Sequence, residues 1–129
     1  MHNKVYGRKF SRNTNSRKAL FRGLMKELFE RGSMTTTEAK VKAIIGDVDG
    51  IMRKISKATL SDYRAVASEL AMDREAVQKL FTNMKELANA RTSGYTTFYA
   101  LPPRRGDRAK MAKISFVQPV ATATAVEEK

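Results

Sequence analysis

The apolar residues of this chain change their spacing once, and that change limits what it can fold into. From Leu20 to Ala88 they recur every three or four positions, as on one face of a helix; from Tyr95 to Val117 they alternate, as on one face of a strand. A first helix is expected from about Asn15 to Arg31, with Leu20, Phe21, Leu24, Met25, Leu28 and Phe29 on one face and Gly32 as its stop. Ser33 to Thr35 leaves room for a brief strand. Thr35 and Glu38 have the spacing of a capping box, opening a long helix with Val41, Ile44, Ile45, Val48, Ile51, Met52 and Ile55 inward. Gly46 and Gly50 fall inside that helix and suggest a closely packed neighbour. A third helix follows Ser61-Asp62, with Tyr63, Val66, Ala67 and Leu70 inward. A fourth follows Asp73, with Val77, Leu80, Phe81, Met84 and Ala88 inward. Residues 95–101 and 112–117 then form two strands around a loop dense in Pro, Gly and Arg. The fold class is α+β, with about four helices on one face of a small antiparallel sheet.

A single domain over residues 14–117 carries this pattern, with a basic arm at 1–13 and an extension at 118–129. Charge is distributed unevenly along it. The chain has 25 Lys+Arg against 13 Asp+Glu, a net +12 at pH 7, and such an excess implies a polyanionic partner. The first 26 positions hold Lys4, Arg8, Lys9, Arg12, Arg17, Lys18, Arg22 and Lys26 and no carboxylate. A solvated surface interleaves both signs; this stretch does not. Lys18, Arg22 and Lys26 lie four apart and predict a basic stripe opposite the apolar face of the first helix. A second concentration, Arg104, Arg105, Arg108, Lys110 and Lys113, sits in and beside the hairpin loop. There Pro102 and Pro103 stiffen the approach and Gly106 permits a tight turn. Arginine pairs with phosphate through two parallel hydrogen bonds, which suits a structured RNA backbone.

Other chemistries find little support. With no cysteine and one histidine, His2, the chain lacks the groups for thiolate catalysis, a Ser–His pair or a Cys/His metal site. Neither an enzyme nor a cofactor nor a small-molecule substrate is expected. Asp47-Val48-Asp49-Gly50 matches part of a calcium loop, but that loop's last ligand position is Ser56 and a helical period runs through the motif. No P-loop, dinucleotide fingerprint or Gly-x-Ser-x-Gly elbow occurs. The start of the chain has no apolar signal core and no apolar run is long enough for a bilayer, so a cytoplasmic protein is the simplest expectation. Of the aromatics that could stack on unpaired bases, about half of Tyr95, Phe98 and Tyr99 must face the helices. A core role is expected for Phe98, leaving Tyr6, Phe10 and Tyr95 as stacking candidates.

The blocks Gly7-Arg8-Lys9-Phe10-Ser11-Arg12, Ser16-Arg17-Lys18-Ala19-Leu20-Phe21-Arg22 and Thr36-Thr37-Glu38-Ala39-Lys40 occur in that order. They are followed by residues 73–81 (Asp73 to Phe81), Gly94-Tyr95-Thr96, Pro103-Arg104-Arg105-Gly106-Asp107 and Met111-Ala112. Together they resemble the bacterial large-subunit ribosomal protein seventeen family, from about Tyr6 to Val117. The resemblance implies a structural, non-catalytic protein that binds large-subunit ribosomal RNA beside neighbouring ribosomal proteins. It also implies that the short strand before the second helix joins the C-terminal hairpin in a three-stranded sheet.

Two other classes compete with that reading. An architectural or regulatory DNA-binding module outside the ribosome would need a recognition helix or a dimer presenting two half-sites. Attachment to a membrane surface through the first helix would leave the basic hairpin without a purpose. The residues therefore favour RNA phosphate contacts from the arm, the first helix and the hairpin loop.

Overall fold

The structure, a computed structural model, describes residues 7–117. Its elements in chain order are α1 (Thr14–Arg31), β1 (Ser33–Thr37), α2 (Glu38–Lys57), α3 (Leu60–Leu70), α4 (Arg74–Ala90), β2 (Thr96–Leu101) and β3 (Met111–Phe116). The strands form one antiparallel sheet in the order β1-β3-β2, so the last strand is central. The α+β class and the joining of the early strand to the hairpin are both as expected.

Local signals set most boundaries. The Asn13 side chain accepts the Ser16 N–H at 2.8 Å and starts α1. Gly32, at φ 79°, ends it by turning its N–H onto the Leu28 carbonyl. Asp73 caps α4 in the same way as Asn13, through the Ala76 N–H. Two starts differ from the sequence reading. Thr35 and Glu38 form no capping box, because Thr35 lies in β1 and the strand runs on to Thr37. Glu38 is instead the first residue of α2 and pairs with Lys42 one turn later at 2.6 Å. The capping box is at Thr59 and Asp62, so α3 begins at Leu60, slightly earlier than expected. The hydroxyl and backbone N–H of Thr59 hold the Asp62 carboxyl below its ordinary range, the hydroxyl hydrogen bond contributing most.

Helix α2 is the axis of the molecule. Val41, Ile44, Val48, Ile51, Met52 and Ile55 are wholly buried, and α2 touches every other helix and all three strands. Met25, Leu28 and Phe29 of α1 close one side, and Phe29 meets Phe116 at a ring distance of 5.5 Å. Val66 and Leu70 of α3 and Val77, Leu80, Phe81, Met84 and Leu87 of α4 close the other. Tyr63 stacks on Phe81 at 3.9 Å. No polar or charged residue is buried among the described residues.

The helices pack on the sheet face that carries Met34, Ala112, Ile114 and Phe116. The opposite face is set by the register: Thr35, Lys113 and Tyr99 form one row across the three strands, and Thr37, Met111 and Leu101 the next. Phe98, paired with Ile114, turns to the helix side as expected. Yet β2 is an edge strand, and the ring stays 37% exposed rather than entering the core.

No element packs against Gly46 or Gly50; a Cβ at either would lie in open space. The close neighbour that these glycines suggested is not within the described chain. Gly46→Ala should accordingly raise the stability of the isolated protein, by up to about 1 kcal/mol, in urea unfolding followed by circular dichroism. Ile51→Ala, which empties part of the α2 core, should lower it by about 2–5 kcal/mol in the same experiment.

Candidate nucleic-acid interface

The basic residues fall into those that brace the chain and those that face outward. In the arm, Arg12 N–H donates to the Lys9 carbonyl and its guanidinium to the Phe10 carbonyl at 3.0 Å. Arg17 donates to the Arg12 carbonyl at 3.4 Å. Phe10 meets Phe21 edge to face, ring centres 5.8 Å apart. The ring expected to stack on a base thus pins the arm to α1. Lys4 and Tyr6, also candidates, lie outside the described residues.

On α1 the basic stripe flanks the apolar face instead of opposing it, because Lys18 and Arg22 stand three residues before Phe21 and Met25, only about 60° away around the helix. Lys18 and Arg22 therefore line the same hollow of about 490 Å³ as Phe21 and Met25. Arg22 reaches across and donates to the Glu69 carbonyl at 3.1 Å, at the end of α3. Glu69 also pairs with Lys54. Burial raises the Asp47 carboxyl in this hollow above its ordinary range, with the charge of Glu69 adding to the effect. Arg22 is in part a tie between helices, while Lys9 and Lys18 are exposed and Lys26 half-buried.

The hairpin loop is folded upon itself. Arg104 N–H donates to the Ala109 carbonyl and Arg108 N–H to the Arg104 carbonyl, each at 3.0 Å. The Arg104 guanidinium grips Asp107 with two hydrogen bonds, of 3.2 and 2.6 Å. Asp107 also accepts the Ala109 N–H at 3.1 Å. These contacts, Arg104 foremost and then the Ala109 N–H, hold the Asp107 carboxyl down at about 2. Gly106 makes the turn at φ 105°. Arg104 is thereby committed to the loop itself. Arg105 and Arg108 are exposed, and among the described residues neither has a salt-bridge partner.

Arm and loop come together at the start of α2. Arg8, Lys42 and Lys110 line one shallow depression of about 330 Å³, with Glu38 among them. Lys42 holds the Glu38 carboxyl below its ordinary range, first by a hydrogen bond and then by charge, and Lys110 and Arg8 add smaller contributions. Three cations surround one carboxylate, so the depression keeps a positive excess. Lys42, absent from the sequence reading, gave no signal because its helix mixes both signs. Tyr95 is a clear correction. Its ring is 1% exposed, its hydroxyl donates to the Arg91 carbonyl at 2.8 Å, and its N–H donates to Asp49 at 3.4 Å. It anchors the sheet to α2 and has no face for a base. Tyr99, not favoured from the sequence, is 52% exposed.

Among the described residues no three His, Cys, Asp or Glu side chains gather as a metal site, and no helix is long and apolar enough to cross a membrane. A two-pronged basic surface on an α+β core thus accounts for the excess charge. The model of the ribosomal protein L17 family matches residues 20–117. The chain belongs to the ribosomal protein L17 family. It is similar to the large ribosomal subunit protein bL17 of Acholeplasma laidlawii, 38% identical over 82% of this chain and 93% of that protein. The protein of the same name from Chloroflexus aurantiacus is 37% identical over 91% of this chain and 100% of its own length. That from Thermomicrobium roseum is 38% identical over 91% and 99%.

In this L17-family chain the Arg104–Asp107 brace should be visible by titration. A carboxyl whose folded pKa lies below its unfolded value stabilises above the ordinary aspartate range, and that contribution is lost as pH falls through the folded value. Carbon-13 NMR should place the Asp107 midpoint at about 2 in the native protein. Arg104→Gln should move the midpoint up toward 3.8, the ordinary value. An unmoved midpoint would mean that Arg104 is not its cause.

Proposed function

We propose that this chain is a structural, non-catalytic component of the large ribosomal subunit in the cytoplasm, where it binds large-subunit ribosomal RNA beside neighbouring ribosomal proteins. The observation that carries this reading is membership of the L17 family, whose relatives named above are large ribosomal subunit proteins that align with this chain over most of its length. The charge arrangement supports RNA as the direct partner. Arg105 and Arg108 stand on a self-braced loop, and Arg8, Lys42 and Lys110 share one depression. Lys9 and Lys18, and beyond the described residues Lys4, extend the same polarity.

In this reading the α+β core acts as a rigid support that holds arm and loop side by side at the start of α2. Phosphates of separate RNA segments settle on the loop and on the arm, and the positive charge between them lowers the repulsion that would keep those segments apart. Such contacts position the protein, and the shape of the folded RNA supplies specificity. Arg104, Arg12 and Arg17 act mainly by holding the loop and arm in shape, and Arg22 by tying α1 to α3. No cofactor or small-molecule substrate takes part.

Sedimentation of a cell lysate tests the assignment. The protein should travel with large subunits at low salt and leave them at high salt; a protein at the top of the gradient at low salt would refute it. With purified large-subunit ribosomal RNA, the double variant Arg105→Ala, Arg108→Ala should bind more weakly. Its log–log salt slope should be shallower by about one to two, since two phosphate contacts are lost. Arg74→Ala, at the start of α4, should leave both quantities close to native.

A further inference from the structure

Among the described residues no element covers the sheet face turned away from the helices, and its composition differs from an ordinary solvated surface. None of the three strands contains an acidic residue. Its middle row is Thr35, Lys113 and Tyr99, with Tyr99 directly paired with Lys113 across the strands. The next row, Thr37, Met111 and Leu101, ends where the basic loop begins. That loop's one carboxylate, Asp107, is held by Arg104. A ring that is half exposed, beside a lysine and next to a positive loop, matches an unpaired nucleotide: aromatic face for the base, ammonium for its phosphate.

We infer that this open sheet face is a base-stacking platform, on which Tyr99 receives an unpaired base of the RNA whose backbone Arg105 and Arg108 hold. The inference rests on the RNA-binding reading above and adds the form of the partner: a single-stranded or bulged nucleotide instead of a continuous duplex. Charge complementarity favours RNA over an apolar protein segment, since Lys113 would lose its hydration under such a segment without gaining an anion. The edge position of β2 leaves the Tyr99 side of the platform open to approach.

Stacking and phosphate contact differ in their salt response, which makes the assignment testable with full-length chain and purified large-subunit ribosomal RNA. Tyr99→Ala should weaken binding by about 5- to 150-fold with an unchanged log–log salt slope, because a stacked base releases no counterion. Tyr99→Phe should bind like the native protein, and Tyr99→Leu like the alanine variant. Lys113→Gln should make the slope shallower by about one phosphate contact. Chemical probing of the RNA should show one or two unpaired nucleotides that become reactive with Tyr99→Ala and remain protected with Tyr99→Phe. Circular dichroism should show each variant folded, as Tyr99 lies outside the core. Full affinity in Tyr99→Ala would overturn the platform, as would restoration by Tyr99→Leu, which would indicate mere apolar cover. Weakened entry into subunits with unchanged RNA affinity would overturn it too and assign the face to a neighbouring protein. Failure of the native chain to bind the RNA at all would instead remove the RNA-binding reading, and the platform with it.

Discussion

Burial of the α2 stripe is the interaction on which the rest of the structure depends. Six wholly buried apolar side chains lie on one helix that touches the sheet and α1, α3 and α4. The single strands and the 11-residue α3 are too short to keep their shape alone in water. Packing on α2 gives them a common apolar surface, in which no charged residue is buried among the described residues and the Tyr95 hydroxyl is satisfied by the Arg91 carbonyl. This apolar association must also overcome self-repulsion from a net charge of +12. The core achieves this by keeping all charge at the periphery.

At that periphery the fold sorts the cations by task. Some are consumed internally: Arg104 on Asp107, Arg22 on the Glu69 carbonyl, Arg12 and Arg17 on carbonyls of the arm. Such contacts order the loop and arm without a partner and leave fewer conformations to lose when one binds. Others, Arg105 and Arg108 among them, make no such side-chain contact among the described residues and stand exposed. Surface ion pairs contribute little to stability, so the value of these internal contacts lies in geometry.

Much of this was legible in the residues. The single change of apolar spacing gave the α+β class, and Gly32 and Asp73 announced helix ends through chemistry confined to a few neighbours. What failed was chemistry decided at a distance. Thr35 and Glu38 have the spacing of a cap, yet pairing with Lys113 draws Thr35 into a strand. Tyr95 and Tyr99 share one parity and would alternate onto the same face, but Tyr95 stands just before β2 and turns inward, held by Arg91 and Asp49, while Tyr99 lies within the strand and stays exposed. Phe10 looked free because Phe21 lies more than two helical turns ahead in the sequence, and Arg22 because the carbonyl that it finds belongs to another helix. For the candidate site, sequence named the basic residues of the arm, the first helix and the loop but not Lys42, and the division between bracing and outward-facing cations required the fold.

The strand order has a consequence for how the chain comes into being. A polypeptide emerges from its amino end, and its segments fold as they appear. Here the central strand is the last one made, and β1 can pair only with it, so Ser33 waits for Ser115. The four helices can gather on α2 well before the sheet exists. During that interval β1 and β2 expose backbone groups with no partner, and an extended β1 is open to pairing with another chain. Closure of the sheet is therefore a late, long-range event. Loss of the last strand through premature termination would leave a helical assembly with unpaired edges, a body suited to aggregation or to removal by proteases.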